Sequence, residues 1–379
     1  MNMEQYSLPA MGWNSWNTFG HAIHENLIYQ IADAMVSERL RDLGYKYVII
    51  DDCWSKKERD EQGFLQADPQ KFPSGMKAVA DYIHERGLKF GMYSCCGDKT
   101  CAGYPGSFEH EFQDAETFAQ WGVDYLKYDN CYKPANQTSA SLMRRMAMAL
   151  RQTGRDIHYA VCQWGTEDVE TWARSAGAHS YRSTIDIQDS WRSVRNIAMS
   201  QFSKQGYNAS FCHNDMDMLV VGMYGKGSNP DVIRGGCSDA EYQTHFALWA
   251  LMGSPLIIGC DVRQMNANTK NILGNEELIA MNQDPEGRSA FAIQTTYRDD
   301  QIVLAKLLSD GSFALGYFNL SDQPANITLN FRLLGLPEEI NEFYMRDCIG
   351  HRDIGKAKRS YTVKLFPHSC RVFRARIAL

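Results

Sequence analysis

Up to about residue 284 the chain repeats one order of apolar and polar positions: an amphipathic helix, a glycine, an apolar strand, and polar residues at the strand's end. Met76, Val79, Ala80 and Ile83 recur at i, i+3, i+4 and i+7, the stripe by which a helix buries one face. Gly87 follows and leads into the run 89–93; Gly44 leads into 45–50 and Asp51-Asp52; Gly122 leads into 123–127 and Asp129. A glycine suits each helix end because it takes positive φ without a steric penalty. Runs at 157–163, 180–186, 210–215 and 255–261 continue the pattern, with 11–16 as the first strand. Successive strand ends lie 23 to 46 residues apart, room for a strand, a helix and two loops. Eight parallel strands spaced in this way predict a (β/α)8 TIM barrel over 1–284, with its active face at the carboxyl ends of the strands. Beyond that point short β-rich runs at 301–307, 312–319, 326–331, 342–346, 360–364 and 371–376 alternate with turns. They predict a C-terminal antiparallel β-sandwich domain over 285–379, packed against the barrel.

Composition narrows the class. The 379 residues are 44% hydrophobic and 22% charged, an ordinary globular balance, and the length suits one large and one small domain. A net charge of -6 gives no footprint for nucleic acid or an anionic membrane and is compatible with a neutral substrate. Residues 1–10 lack the basic start and apolar stretch of a signal peptide, and no apolar run reaches membrane-spanning length, so a cytoplasmic location is expected. On that expectation the sequons at Asn136, Asn208, Asn319 and Asn326 carry no meaning. The 11 cysteines are scattered through apolar runs without zinc-ribbon spacing, so no metal is expected and most are expected to be reduced. The oligomeric state stays open, a homo-oligomer among the readings.

Five of the eight strand ends carry a carboxylate. A single Asp there is as readily a loop starter or helix cap. Asp51-Asp52 and the Lys127-Tyr128-Asp129 string instead concentrate charge at otherwise apolar strand ends, which is costly to bury without a polar ligand. Tryptophan and tyrosine nearby suit a sugar, whose ring face stacks on an aromatic while its hydroxyls take charge-assisted hydrogen bonds. Trp13, Trp54, Tyr93, Trp121 and Trp164 are the candidates; Trp13 and Trp164 at strand ends are preferred, and Trp121 beside Gly122 is read as core. Glycosidic cleavage needs one carboxyl group to attack or to activate water and a protonated one to assist the leaving oxygen. Asp129, two residues from Lys127 and on the same strand face, suits the ionised role. Asp186, four residues after Arg182, suits the acid/base. No dinucleotide fingerprint, P-loop or His-Glu-x-x-His string occurs, so no cofactor is expected. His213 near a strand end reads equally as a pocket residue and a structural one.

Five strings carry a family resemblance: Met-Gly-Trp-Asn-Ser-Trp at 11–16, Asp-Asp-Cys-Trp at 51–54, Thr-Cys-Ala-Gly-Tyr-Pro-Gly-Ser at 100–107, Trp-Gly-Val-Asp-Tyr-Leu-Lys-Tyr-Asp at 121–129 and Asn-Asp-Met-Asp-Met-Leu at 214–219. Together they resemble the α-galactosidases and α-N-acetylgalactosaminidases of glycoside hydrolase family 27, in collinear order from about 11 to 284. The resemblance implies a retaining double displacement with Asp129 as nucleophile and Asp186 as acid/base. It implies that Asp51 and Asp52 take the sugar's O6 and O4, with Trp13, Tyr93, Cys101, Lys127, Arg182, Asp217 and Met218 as further contacts. It also implies a Cys101–Cys131 disulfide beside the pocket. One string departs from the family: Cys162-Gln163-Trp164-Gly165-Thr166 replaces Cys-Glu-Trp and the bulky residue that read the C2 substituent, so Gln163, Trp164 and Thr166 are the candidates for that contact. The expected activity is therefore α-galactosidase, with α-N-acetylgalactosaminidase, β-L-arabinopyranosidase and an inactive sugar-binding homologue as alternatives.

Overall fold

The apolar runs become strands in the computed structural model, which describes residues 7–295 and 300–378. Residues 1–6, within the segment searched for a signal peptide, lie outside them. The barrel strands are β1 (Met11–Asn14), β2 (Tyr47–Ile49), β3 (Lys89–Cys95), β4 (Tyr125–Asp129), β5 (His158–Cys162), β6 (Ser180–Arg182), β7 (His213–Asp215) and β8 (Leu256–Ile258). They are hydrogen-bonded in the order β7-β6-β5-β4-β3-β2-β1-β8, every neighbouring pair parallel. The two edges meet through Leu219, whose N–H donates to Ile257 O at 2.7 Å and whose carbonyl accepts from Gly259 N–H at 2.9 Å, closing the ring. Gly12 permits the tight seam between β1 and β2, since a Cβ there would lie 2.5 Å from the Tyr47 carbonyl oxygen.

Several strands are shorter than their apolar runs. The run 180–186 pairs only over Ser180–Arg182, because Thr184 turns to accept from Arg182 Nε at 3.1 Å and Ile187 N–H is claimed by Asp217 at 2.7 Å. Asp186 therefore stands on a loop rather than on a strand face shared with Arg182.

The helices cover the ring. Gly122 ends the helix Glu111–Trp121 in the left-handed conformation, φ 85°, as its position predicts. The helix Asp239–Leu251 begins with a Ser238/Glu241 capping box and is buried along most of its length, because the second domain lies over it. That domain has a six-stranded antiparallel sheet, which includes 301–307, 313–319 and 369–377, and a two-stranded partner sheet of Ala325–Asn330 with Ser360–Leu365. Ile302, Leu304, Ala314, Phe318 and Val372 belong to the barrel's hydrophobic core, while Phe343, Met345 and Phe373 build a separate core between the sheets. Phe291–Thr295 and the edge strand Arg352–Lys358 escaped the sequence reading; the latter offers only Ile354 and Ala357 to the core among charged residues, three positions apart, so it carries no alternation. Among the described residues no helix is long and apolar enough to cross a membrane.

Candidate active site

A cavity of about 470 Å³ opens at the carboxyl ends of the strands. Its polar and charged wall is assembled from β3, β4 and β6 and the loops that follow β2, β6 and β7. Asp51, Asp52, Tyr93, Cys101, Lys127, Asp129, Trp164, Arg182, Asp186, Asp217 and Met218 all line it, as the sequence reading expected of them as a group.

The inner charges are held in pairs. Lys127 Nζ bonds Asp51 Oδ2 at 2.9 Å, and Asn14 Nδ2 donates to the same oxygen at 2.7 Å. Lys127 thus has its short contact with Asp51 rather than with Asp129, the partner its spacing suggested. Although burial works against its charge, Asp51 and Asp129 hold the ammonium's pKa well above the usual lysine range. Asp129 accepts from Tyr93 Oη at 3.1 Å and from Asn130 N–H at 2.9 Å. Burial pushes its carboxyl up to about 6 against the opposing pull of Lys127. Asp52 accepts from the N–H groups of Cys53 at 2.7 Å and Ala102 at 2.9 Å; burial raises it too.

Arg182, only 4% exposed, bridges Asp186 Oδ1 at 2.5 Å and Asp217 Oδ2 at 3.0 Å. Burial raises the Asp217 carboxyl. Asp186 behaves differently: its side chain is 76% exposed to the open cavity, and although burial of the carboxyl works the other way, the Arg182 charge and hydrogen bond bring its pKa below the usual value. The sequence reading expected an ionised Asp129 and a protonated Asp186. The local fields are opposite, because Asp129 is the buried member and Asp186 has the arginine. Three non-glycine residues at the site, Cys53, Trp164 and Asp217, have φ of 72°, 62° and 79°. Such backbone costs on the order of 1–3 kcal/mol per residue and persists where the surroundings over-determine it.

Three expected contacts fall elsewhere. Trp13 is fully buried, with its indole N–H on Cys260 O at 2.9 Å; the strand ends at Asn14, and the tryptophan that reaches the cavity is Trp16, on the short helix Trp16–Phe19. Gln163 is also fully buried, its Nε2 on Thr166 Oγ1 at 2.5 Å, and neither residue lines the cavity. The turn at Trp164 and Gly165 presents the Trp164 indole to the cavity and folds its neighbours away. Trp54 packs edge-on against Trp121, the core role expected of Trp121. His213 has a structural role, bonded to Asn208 and the Ser7 carbonyl. Asp215 and Asp261, both at expected strand ends, stay out of the cavity: Asp215 lies beneath it, and Asp261 caps a short helix and pairs with Arg263. Among the described residues one group of three, Cys101, Asp129 and Cys131, is close enough to share a metal ion, but its two sulfurs are joined in a disulfide, Cα–Cα 5.2 Å. Sequence reasoning missed Trp16, Gln188, Asp231 and Arg234 on the outer wall. The stretch 222–236 that supplies two of them is glycine-rich and aperiodic, so only its position after β7 could have pointed to it.

Comparison with known proteins identifies relatives along both domains. The family described as alpha galactosidase A matches residues 8–284, and the one described as alpha galactosidase C-terminal beta sandwich domain matches 298–375. Alpha-galactosidase 3 of Arabidopsis thaliana is 43% identical over 371 residues, covering 96% of this chain and 81% of that protein. The structure of α-galactosidase I from Mortierella vinacea superposes with a TM-score of 0.92 at 34% identity, over 99% of this chain and 98% of that one. The α-galactosidase of Saccharomyces cerevisiae solved with raffinose superposes with a TM-score of 0.88 at 28% identity, over 98% and 99%.

Proposed function

This chain belongs to the α-galactosidase family of glycoside hydrolases, and from that premise we propose that it hydrolyses terminal α-D-galactosides by double displacement, with Asp129 as nucleophile and Asp186 as acid and base. The observation that carries the proposal is that these two carboxylates line one cavity, one buried between Tyr93 and Asn130 and the other exposed beside Arg182.

An Asp129 oxygen attacks the anomeric carbon, the bond from that carbon to the glycosidic oxygen breaks, and the leaving oxygen takes a proton from Asp186. Asp186, now ionised, removes a proton from water, which displaces Asp129 and releases the sugar with its original configuration. A sugar ring seated over Asp186 strips water from that carboxyl, which favours its neutral form, so that it takes a proton from solvent as the sugar binds and holds it for the leaving oxygen. Asp51 and Asp52, fixed by Lys127 and by backbone N–H groups, face outward as acceptors for the O6 and O4 hydroxyls. Trp16 and Trp164 offer apolar surface to the ring.

The test is an aryl α-galactoside assayed beside the aryl α-N-acetylgalactosaminide and the aryl β-L-arabinopyranoside. The α-galactoside is expected to turn over fastest. Faster turnover of either rival would reassign the sugar, and binding of galactose without turnover of any would identify a sugar-binding homologue.

A further inference from the structure

We propose that the loop 224–236 is the wall of a leaving-group subsite, in which Asp231 and Arg234 hold a second, uncharged sugar; the proposal rests on the α-galactosidase reading above. Both residues line the cavity, both are exposed, and neither carries an ion pair among the described residues. Among the described residues the Arg234 guanidinium has only backbone carbonyls as partners, those of Pro230 and Ile233.

The loop is built rather than loose. Asp189, fully buried, accepts from Gly225 N–H at 2.7 Å and from Tyr242 Oη at 2.7 Å. Its backbone pairs with the loop, Asp189 N–H to Val232 O at 2.8 Å and Gly236 N–H to Asp189 O at 3.1 Å. On the opposite side Asn229 Nδ2 donates to Trp16 O at 3.0 Å, and Ser228 N–H to Thr18 O at 2.6 Å. Gln188 Nε2 reaches Asp231 O at 3.2 Å.

Asp189 stands three residues after Asp186, so the wall is anchored to the segment that carries the acid. A proton from Asp186 goes to the leaving oxygen, and the leaving group must therefore lie on Asp186's side of the cavity, against this wall. One carboxylate and one guanidinium without ionic partners suit hydroxyl groups, which accept and donate charge-assisted hydrogen bonds. The opposed charges disfavour an anionic leaving group, and their polarity disfavours an alkyl one.

The test compares two substrates of the full chain: raffinose, whose leaving group is a sugar, and α-D-galactosyl fluoride, whose leaving group is too small to touch the wall. In Arg234→Ala and Asp231→Ala the ratio of kcat/KM for raffinose to that for the fluoride is expected to fall about tenfold, one hydrogen bond's worth. The alkaline limb of the raffinose kcat profile, which reports Asp186 with the sugar bound, should stay in place, which separates a lost contact from a disturbed Asp186, and Arg234→Lys should restore part of the ratio. An unchanged ratio in both alanine variants, or a fall accompanied by a moved alkaline limb, overturns the subsite. If the unsubstituted enzyme cleaves neither substrate, the α-galactosidase reading itself falls and takes this inference with it.

Discussion

At Asp129 two large effects oppose each other: burial raises the carboxyl to about 6, while the Lys127 ammonium pulls it down. The nucleophile must be ionised, so with α-D-galactosyl fluoride, whose departure needs no proton from Asp186, kcat/KM is expected to fall as the pH drops through about 6 and Asp129 takes up a proton. In Lys127→Met the downward pull is gone and burial remains, so the acidic limb should move to higher pH. The same variant leaves Asp51 buried without its cation, a loss of about 3 kcal/mol that urea unfolding would read. A limb that stays in place would show that Lys127 does not act on Asp129. Most of these charges were legible in the sequence, because carboxylates and cations two to four residues apart at strand ends have few other uses. Their partners were not: Lys127 chose Asp51, 76 positions away, and the protonation order depends on burial, which spacing does not reveal. Trp13 and Trp16 differ only in where β1 stops, a matter of one turn of chain.

The closed ring of parallel strands explains why elements were easier to find than to bound. Strands covered on both faces appear as continuous apolar runs, so the eight runs were visible. Pairing ends where the loops begin to bond among themselves, as at Thr184 and Ile187, and nothing in the run marks that point. Gly12 makes the β1–β2 seam a sharp test. Its replacement by valine would drive a side chain against the Tyr47 carbonyl oxygen and Cβ, at 2.5 and 2.7 Å from the new Cβ, so the strands must part. A loss of about 3 kcal/mol is expected, measured by denaturant unfolding followed by circular dichroism. A variant as stable as the parent would contradict the pairing of Gly12 with Tyr47.

For the whole molecule, the sandwich and the barrel share one apolar core, in which Ile302, Leu304, Ala314, Phe318 and Val372 pack with the barrel's own residues. A cavity set on such a base should lose its shape only when the whole chain unfolds. One transition, coincident by tryptophan fluorescence and by far-ultraviolet circular dichroism, is therefore expected; two separated transitions would mean independent domains. The sequence showed that a β-rich unit follows the barrel but not that it completes the barrel's core, since the helix it covers, Asp239–Leu251, buries Thr244 and His245 beside Tyr242, Phe246 and Trp249 and so shows no single apolar stripe. The central claim, that Asp129 attacks the sugar, is tested most directly by trapping. A 5-fluoro-α-galactosyl fluoride, which forms the glycosyl-enzyme faster than water can clear it, should inactivate the enzyme and leave one sugar on the peptide containing Asp129, as seen by mass spectrometry. A sugar found on Asp186 or any other carboxylate, or inactivation without a covalent adduct, would contradict the account.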